Sequence, residues 1–310
     1  MSESGILEII MDSKLINTLI LQKLSAFVIT LAAFIYFKPG YNFMMLAIVL
    51  GQSHFMLAYF YKLVSRKIRL KNFLIFVAVS AGIFAYFYRI NFPDFRLESL
   101  LLVTTLYAIY HVAADDQFTL NFFSPNYSKV QKLQIFSLMS ALTGLHLRWQ
   151  FAFEYSWVFF LVSFVFLLLI AREKETGRQS WASPDYFFLF LVTASFLIYF
   201  SGVQFIAQHL LVLTFMGIYH YLVYYFHYFL KIKSIEPKAK SILHKRVGYL
   251  SVVALSNVLI VGLFLTMRAT QQPILIHLFS YNLFLILTLM HFISSTRTYE
   301  LPSLFGLKKN

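Results

Sequence analysis

The 310-residue chain has no cysteine, which excludes disulfides, cysteine-ligated zinc, iron–sulfur clusters and thiolate catalysis. Charge is scarce as well. Only 13% of residues are Asp, Glu, Lys or Arg, where a soluble domain carries about a quarter. Acid is scarcest, with 13 carboxylates against 26 Lys and Arg, and every carboxylate falls at or beyond the end of a hydrophobic run. That pattern weakens a proton pump or sodium symporter built on buried acids. It also removes the aspartate-rich motifs with which a prenyl-diphosphate transferase holds magnesium. The one lysine that comes near mid-membrane, Lys23, lies at the wrong end of the chain for a retinal Schiff base. A hydrolase is disfavoured too, because no serine stands in a nucleophile-elbow motif and no acid accompanies a mid-membrane histidine.

What is present is apolar bulk. The apolar share is 59%, with 36 Phe and 20 Tyr, and mean hydropathy is +0.70. A membrane span takes about twenty apolar residues in a helix, because each backbone polar group has to be satisfied internally. Ten such runs are read: 16–37, 42–64, 71–90, 97–114, 130–148, 156–172, 185–201, 203–231, 247–267 and 273–295. The first contains Gln22 and Lys23, and Ser201–Gly202 separates the seventh from the long eighth. The expected fold is therefore all-α, a polytopic transmembrane helix bundle of about ten spans, or eight if a weak pair is re-entrant. It forms one integral-membrane domain over 1–310, since 115–129 and 231–246 are the longest hydrophilic stretches. Met1 to Leu15 carries Glu3, Glu8 and Asp12 ahead of Lys14, unlike a cleaved secretory signal.

Basic residues set the orientation. With the N-terminus inside, 21 of the 26 Lys and Arg fall on the inner side of ten spans and 5 on the outer. Retention of positive charge on the cytoplasmic side accounts for this split and places both termini inside. The net charge of +13 thus follows the membrane, and no nucleic-acid partner is expected.

Histidine is the remaining chemical resource. Eight of the nine, all but His244, fall in or at the ends of spans. His54 and His220 lie near mid-span; His111, His227 and His291 lie toward the cytoplasmic side; His146, His209 and His277 lie toward the outside and read as packing residues. Neutral imidazole suits iron, copper or zinc where thiolates are absent. Tyr107, His111 and Asp115 recur every four residues and share a helix face, so Asp115 can accept the free ring N–H of His111 and orient it. Met216, His220, Tyr224 and His227 form a second stripe. His220 and His227 are about 10.5 Å apart along their helix, a strain for joint ligation. A single-metal site draws on His54, His111 and His220, with His227 or His291 as a fourth ligand. A histidine in a bundle also commonly serves as a helix–helix hydrogen-bonding residue.

Three patches carry a family resemblance. Gly51-Gln52-Ser53-His54 resembles the Gly-x-Pro-His element of bacterial Brp/Blh-type β-carotene 15,15′-dioxygenases. Tyr110-His111-Val112-Ala113-Ala114-Asp115-Asp116 resembles that family's histidine, small-residue and acid element. Ile218-Tyr219-His220 through His227 resembles its histidine-bearing late helix. Proline is absent before His54, and Tyr224 stands where the family's late helix places the second histidine of a His-x-x-x-His pair. The resemblance implies a multi-pass protein of the bacterial inner membrane that holds non-haem Fe(2+) through His54, His111 and His220, with His227 a further candidate ligand if its helix bulges or kinks. Tyr224 and Asp115 are then the candidate catalytic side chains. The implied partners are the bilayer, dioxygen and an apolar carotenoid or similar lipid, cleaved to retinal in the family's own reaction.

Two other functions compete: haem-mediated electron transfer using axial histidines from different spans, and metal-independent binding or transport of a small molecule or lipid along the histidine and tyrosine stripe. The histidine-rich desaturases and hydroxylases fit less well, because their clustered His-x-x-x-His and His-x-x-His-His motifs do not occur.

Overall fold

A computed structural model describes residues 13–38, 40–64, 71, 74–75, 78, 82, 97–120, 127–151, 153–200, 211–235, 242–280, 283–288 and 291. Among these, the regular elements are all helical and there is no strand. In chain order they are α1 (Ser13–Phe37), α2 (Tyr41–Val64), α3 (Leu97–Leu120), α4 (Lys129–Phe151), α5 (Trp157–Thr176), α6 (Ser183–Phe200), α7 (Leu211–Ile235), α8 (Arg246–Thr270) and the short α9 (Pro273–Leu278). Most of the expected span 71–90, the Ser201–Gly202 break, the start of span 203–231 with His209, and both chain ends lie outside the described residues.

Five segments are long and apolar enough to cross a membrane among the described residues: Ile16–Phe37, Tyr41–Tyr61, Glu154–Thr176, Ser183–Phe200 and Arg246–Thr270. Their exposed residues are large and apolar, as with Ile35, Leu168, Leu255 and Val258. Such continuous apolar surface suits lipid and is avoided in water.

The chain divides into two compact units, each assembled from separated stretches. The first takes in residues 1–32, 112–212 and 298–310. At its centre α4 and α5 form an antiparallel hairpin packed through small residues. Ser137 Oγ lies 3.0 Å from Ser163 Oγ. A Cβ on Gly144 would stand 2.8 Å from the Phe160 ring. Small side chains of this kind let helix backbones approach closely where lipid offers no hydrophobic driving force. A buried polar network then ties in α6. Asp185 accepts Gln134 Nε2 at 2.8 Å, Lys174 Nζ at 2.7 Å and the Ala182 N–H at 2.8 Å. The last contact caps the first turn of α6, and Lys174 also donates to the Ser180 carbonyl at 3.2 Å.

Two carboxylates expected just beyond the end of the fourth run lie within a helix. Helix α3 continues to Leu120 instead of ending at 114, so Asp115 and Asp116 are inside it. Asp116 is buried and forms an ion pair with Lys23 of α1, which is fully buried. Lys23 is thus accommodated within an apolar helix by its partner.

The second unit takes in residues 33–111 and 213–297. Helix α2 packs on α8, and α8 on α9, around a core that includes Ile48, Phe55, Tyr221, Ile260 and Phe284. The expected tenth span is interrupted. Helix α9 stops at Leu278, and residues 283–288 resume the helix.

The buried pair gives the first test. Lys23→Met alone strands a buried carboxylate, which costs about 3–5 kcal/mol, whereas Lys23→Met combined with Asp116→Leu removes both charges at similar volume and recovers most of that loss. Thermal unfolding of the two variants in mild detergent measures the difference.

Candidate metal centre

The middle of α2 sets out Gly51, Gln52, Ser53 and His54, all buried. Gly51 is required by close approach. A Cβ there would fall 2.5 Å from the Phe284 ring and 2.9 Å from the Tyr221 hydroxyl. The missing side chain brings both the 283–288 segment and α7 against α2 at the level of His54.

The interruption of the tenth span is locally satisfied. Pro273 at the first turn of α9 needs no N–H partner. The helix is six residues long, and its last carbonyls need partners from outside its own ladder. Phe279 N–H bonds to the Leu275 carbonyl and Ser280 N–H to the His277 carbonyl, each at 3.1 Å. The Leu278 carbonyl is taken by Gln52 Nε2 at 3.0 Å. Ser280 then starts the next helical stretch as an N-cap. Its Oγ accepts the Leu283 N–H at 3.3 Å, and its carbonyl accepts Phe284 N–H at 3.1 Å.

Three imidazoles converge in this unit. His54, His220 and His291 are buried, and their ligand nitrogens all lie within 4.8 Å of one another. His54 Nε2 and His291 Nε2 are 3.1 Å apart. His111 borders the group, its ring centroid 5.0 Å from that of His220 and 6.0 Å from that of His291. Aromatic rings wall His54, with Tyr224 edge-on at 4.3 Å and Tyr221 tilted at 4.9 Å between centroids. Phe55 lies 5.0 Å from His291.

Of the residues read from sequence, the structure brings together His54, His220 and His291, the last named there only as an alternative fourth ligand, and sets His111 and Tyr224 beside them. His227 is buried on α7, two turns and about 10.5 Å beyond His220 along the axis, and is not one of the three. Asp115 is half-buried on α3, while its neighbour Asp116 takes the ion pair with Lys23. His146 and His277 do not belong to the cluster.

No family model matches this chain, and neither a curated protein nor a solved structure matches it. The cluster therefore stands on its own chemistry. Imidazole nitrogens bind a first-row metal ion at about 2.0–2.1 Å, which places adjacent ligand atoms about 3 Å apart and opposed ones about 4 Å apart. The His54–His291 spacing matches an adjacent pair. Closing all three nitrogens onto one ion takes shifts of about 1 Å or less from the present spacing. Axial haem ligands, by contrast, stand about 4 Å apart with the porphyrin between them. The 3.1 Å between His54 and His291 is shorter than that spacing and nearer to that of two adjacent ligands on one ion.

Gly51→Ala tests the close approach on which this packing depends. Overpacking there lowers stability by about 1–3 kcal/mol, read as a fall in the thermal unfolding temperature. Gly217→Ala is the control. Its added Cβ would meet nothing nearer than 3.5 Å, and alanine in a helix is favoured over glycine by about 1 kcal/mol.

Proposed function

We propose that this chain is a membrane-embedded metalloprotein, a non-haem iron oxygenase that acts on an apolar lipid of the carotenoid kind. The observation that carries the reading is the convergence of His54, His220 and His291, buried and from three separate stretches of chain, with ligand nitrogens within 4.8 Å of one another. Buried polar groups in a bundle are costly and mark functional sites by default, and three imidazoles at one point exceed what packing alone requires. Two of the patches resembling the β-carotene dioxygenases carry His54 and His220, and the third carries the bordering His111.

In this reading His54, His220 and His291 hold the ion through neutral imidazole nitrogens, and His111 is the nearest further donor. Iron, when bound, supplies the dioxygen-binding and redox chemistry that the side chains lack. Tyr221, Tyr224 and Phe55 form an apolar wall that excludes water and offers ring faces to a flat hydrocarbon. The apolar outer faces of α5 and α8 keep the protein in the bilayer where such a substrate dissolves. The same proposal includes ten spans with both termini on the cytoplasmic side of a bacterial inner membrane, on the strength of the basic-residue distribution.

Expression in iron-replete cells, purification in mild detergent and metal quantification test this directly. Near-stoichiometric iron is expected in the parent protein, with loss in His54→Ala, His220→Ala and His291→Ala and retention in His227→Ala. Iron-loaded protein should convert β-carotene or a related polyene to aldehyde products. Folded protein that is metal-free in parent and variants alike would sink the reading in favour of a binding or transport protein.

A further inference from the structure

Gln52 sits two residues before His54 in an apolar helix, buried, and spends its side-chain amide on a distant carbonyl. That carbonyl, Leu278 O, belongs to the last residue of α9. Beyond the break, Phe284 and His291 both lie against Phe55 of α2, at 6.2 Å and 5.0 Å between ring centroids. Gly51 receives the Phe284 ring, and His54 meets His291. One short stretch of α2, residues 51–55, therefore touches the end of α9, the resumed helix and the histidine beyond it. Only the Gln52 contact in this set is a directional hydrogen bond to backbone. Apolar packing alone tolerates sliding, whereas a hydrogen bond to a particular carbonyl restrains it.

We propose that Gln52 is a positioning residue for the histidine cluster: by donating to the Leu278 carbonyl at the break, it sets where the segment carrying His291 stands against His54. The amide acts through backbone and touches no ligand. The break has a use in this arrangement, since an uninterrupted helix would consume the Leu278 carbonyl internally and leave Gln52 nothing to hold. The consequence for metal binding rests on the proposed metal centre, but the positioning itself does not.

The cysteine-free chain allows a test that needs no metal. In a His54→Cys/His291→Cys variant, a short bis-methanethiosulfonate should link the two thiols rapidly. Adding Gln52→Met, which keeps length and removes the donor, should slow that reaction about three- to tenfold, the range expected for one neutral hydrogen bond. Gln52→Asn keeps the amide but falls one methylene short, and should behave like the methionine variant. A Ser137→Cys/Ser163→Cys pair in the first unit, built where the parent hydroxyls are 3.0 Å apart, should cross-link at the same rate with and without Gln52. In the parent histidine background, Gln52→Met should lower cobalt(II) affinity about 10-fold or more and shift its visible absorption.

Unchanged cross-linking at positions 54 and 291 in both Gln52 variants would overturn the proposal. Loss of helical structure in both would assign Gln52 to folding and overturn it equally. Slowed cross-linking together with no cobalt binding by the parent protein would keep the positioning role and refute the metal reading instead.

Discussion

Inside an apolar bundle a peptide carbonyl or charged side chain cannot turn to water, and each one left without a partner costs several kcal/mol. This constraint organises the chain. Lys23 is tolerated in α1 because Asp116 meets it. Asp185 is tolerated at the start of α6 because an amide, an ammonium and a backbone N–H all donate to it. The interrupted span is tolerated because Gln52 and Ser280 take up the groups that the break exposes. Each unit is thus held by a few obligatory polar contacts set in a larger, less directional apolar fill.

Close backbone approach supplies the second layer of the argument. Gly144 under Phe160 and Gly51 under Phe284 occur where helices approach closely. Neither glycine is needed for an unusual backbone angle; both lie in helices, where glycine is otherwise a loss of about 1 kcal/mol relative to alanine. That loss is accepted because a methyl group would push apart the surfaces that carry the polar contacts. At Gly51 the same tightness brings α2, α7 and the resumed tenth span within imidazole reach.

The helices were legible in the sequence because hydrophobic runs and turn residues are local signals. Most ends of α1, α2, α4, α5, α6 and α8 fall within a few residues of the expected boundaries. The extension of α3 to Leu120 was not, because two adjacent aspartates read as a helix end until Lys23 is known to face one of them. The break at Phe279–Ser280 had faint signs, Pro273 before it and a serine able to cap, yet neither distinguishes a break from an ordinary span. Along-helix spacing sets His227 about 10.5 Å from His220, and His227 is not among the three clustered histidines. Such spacing could not rank His291 above His111, because which helices adjoin is a property of packing between distant stretches. Gln52 was legible only as a buried polar side chain; its carbonyl partner lies 226 residues away.

The composition of the cluster bears on what it can do. Among the described residues, the group able to hold a metal consists of three histidines and includes no carboxylate. Three neutral ligands leave a divalent ion's charge uncompensated in a low-dielectric interior, where charge is most costly. An ion held there would favour an anionic or strongly donating remaining ligand over a further neutral one. Adding a carboxylate ligand would relieve the charge and weaken the pull on that remaining ligand. On this account, the near absence of acid from the apolar spans and the gathering of imidazoles within them are two sides of one electrostatic arrangement.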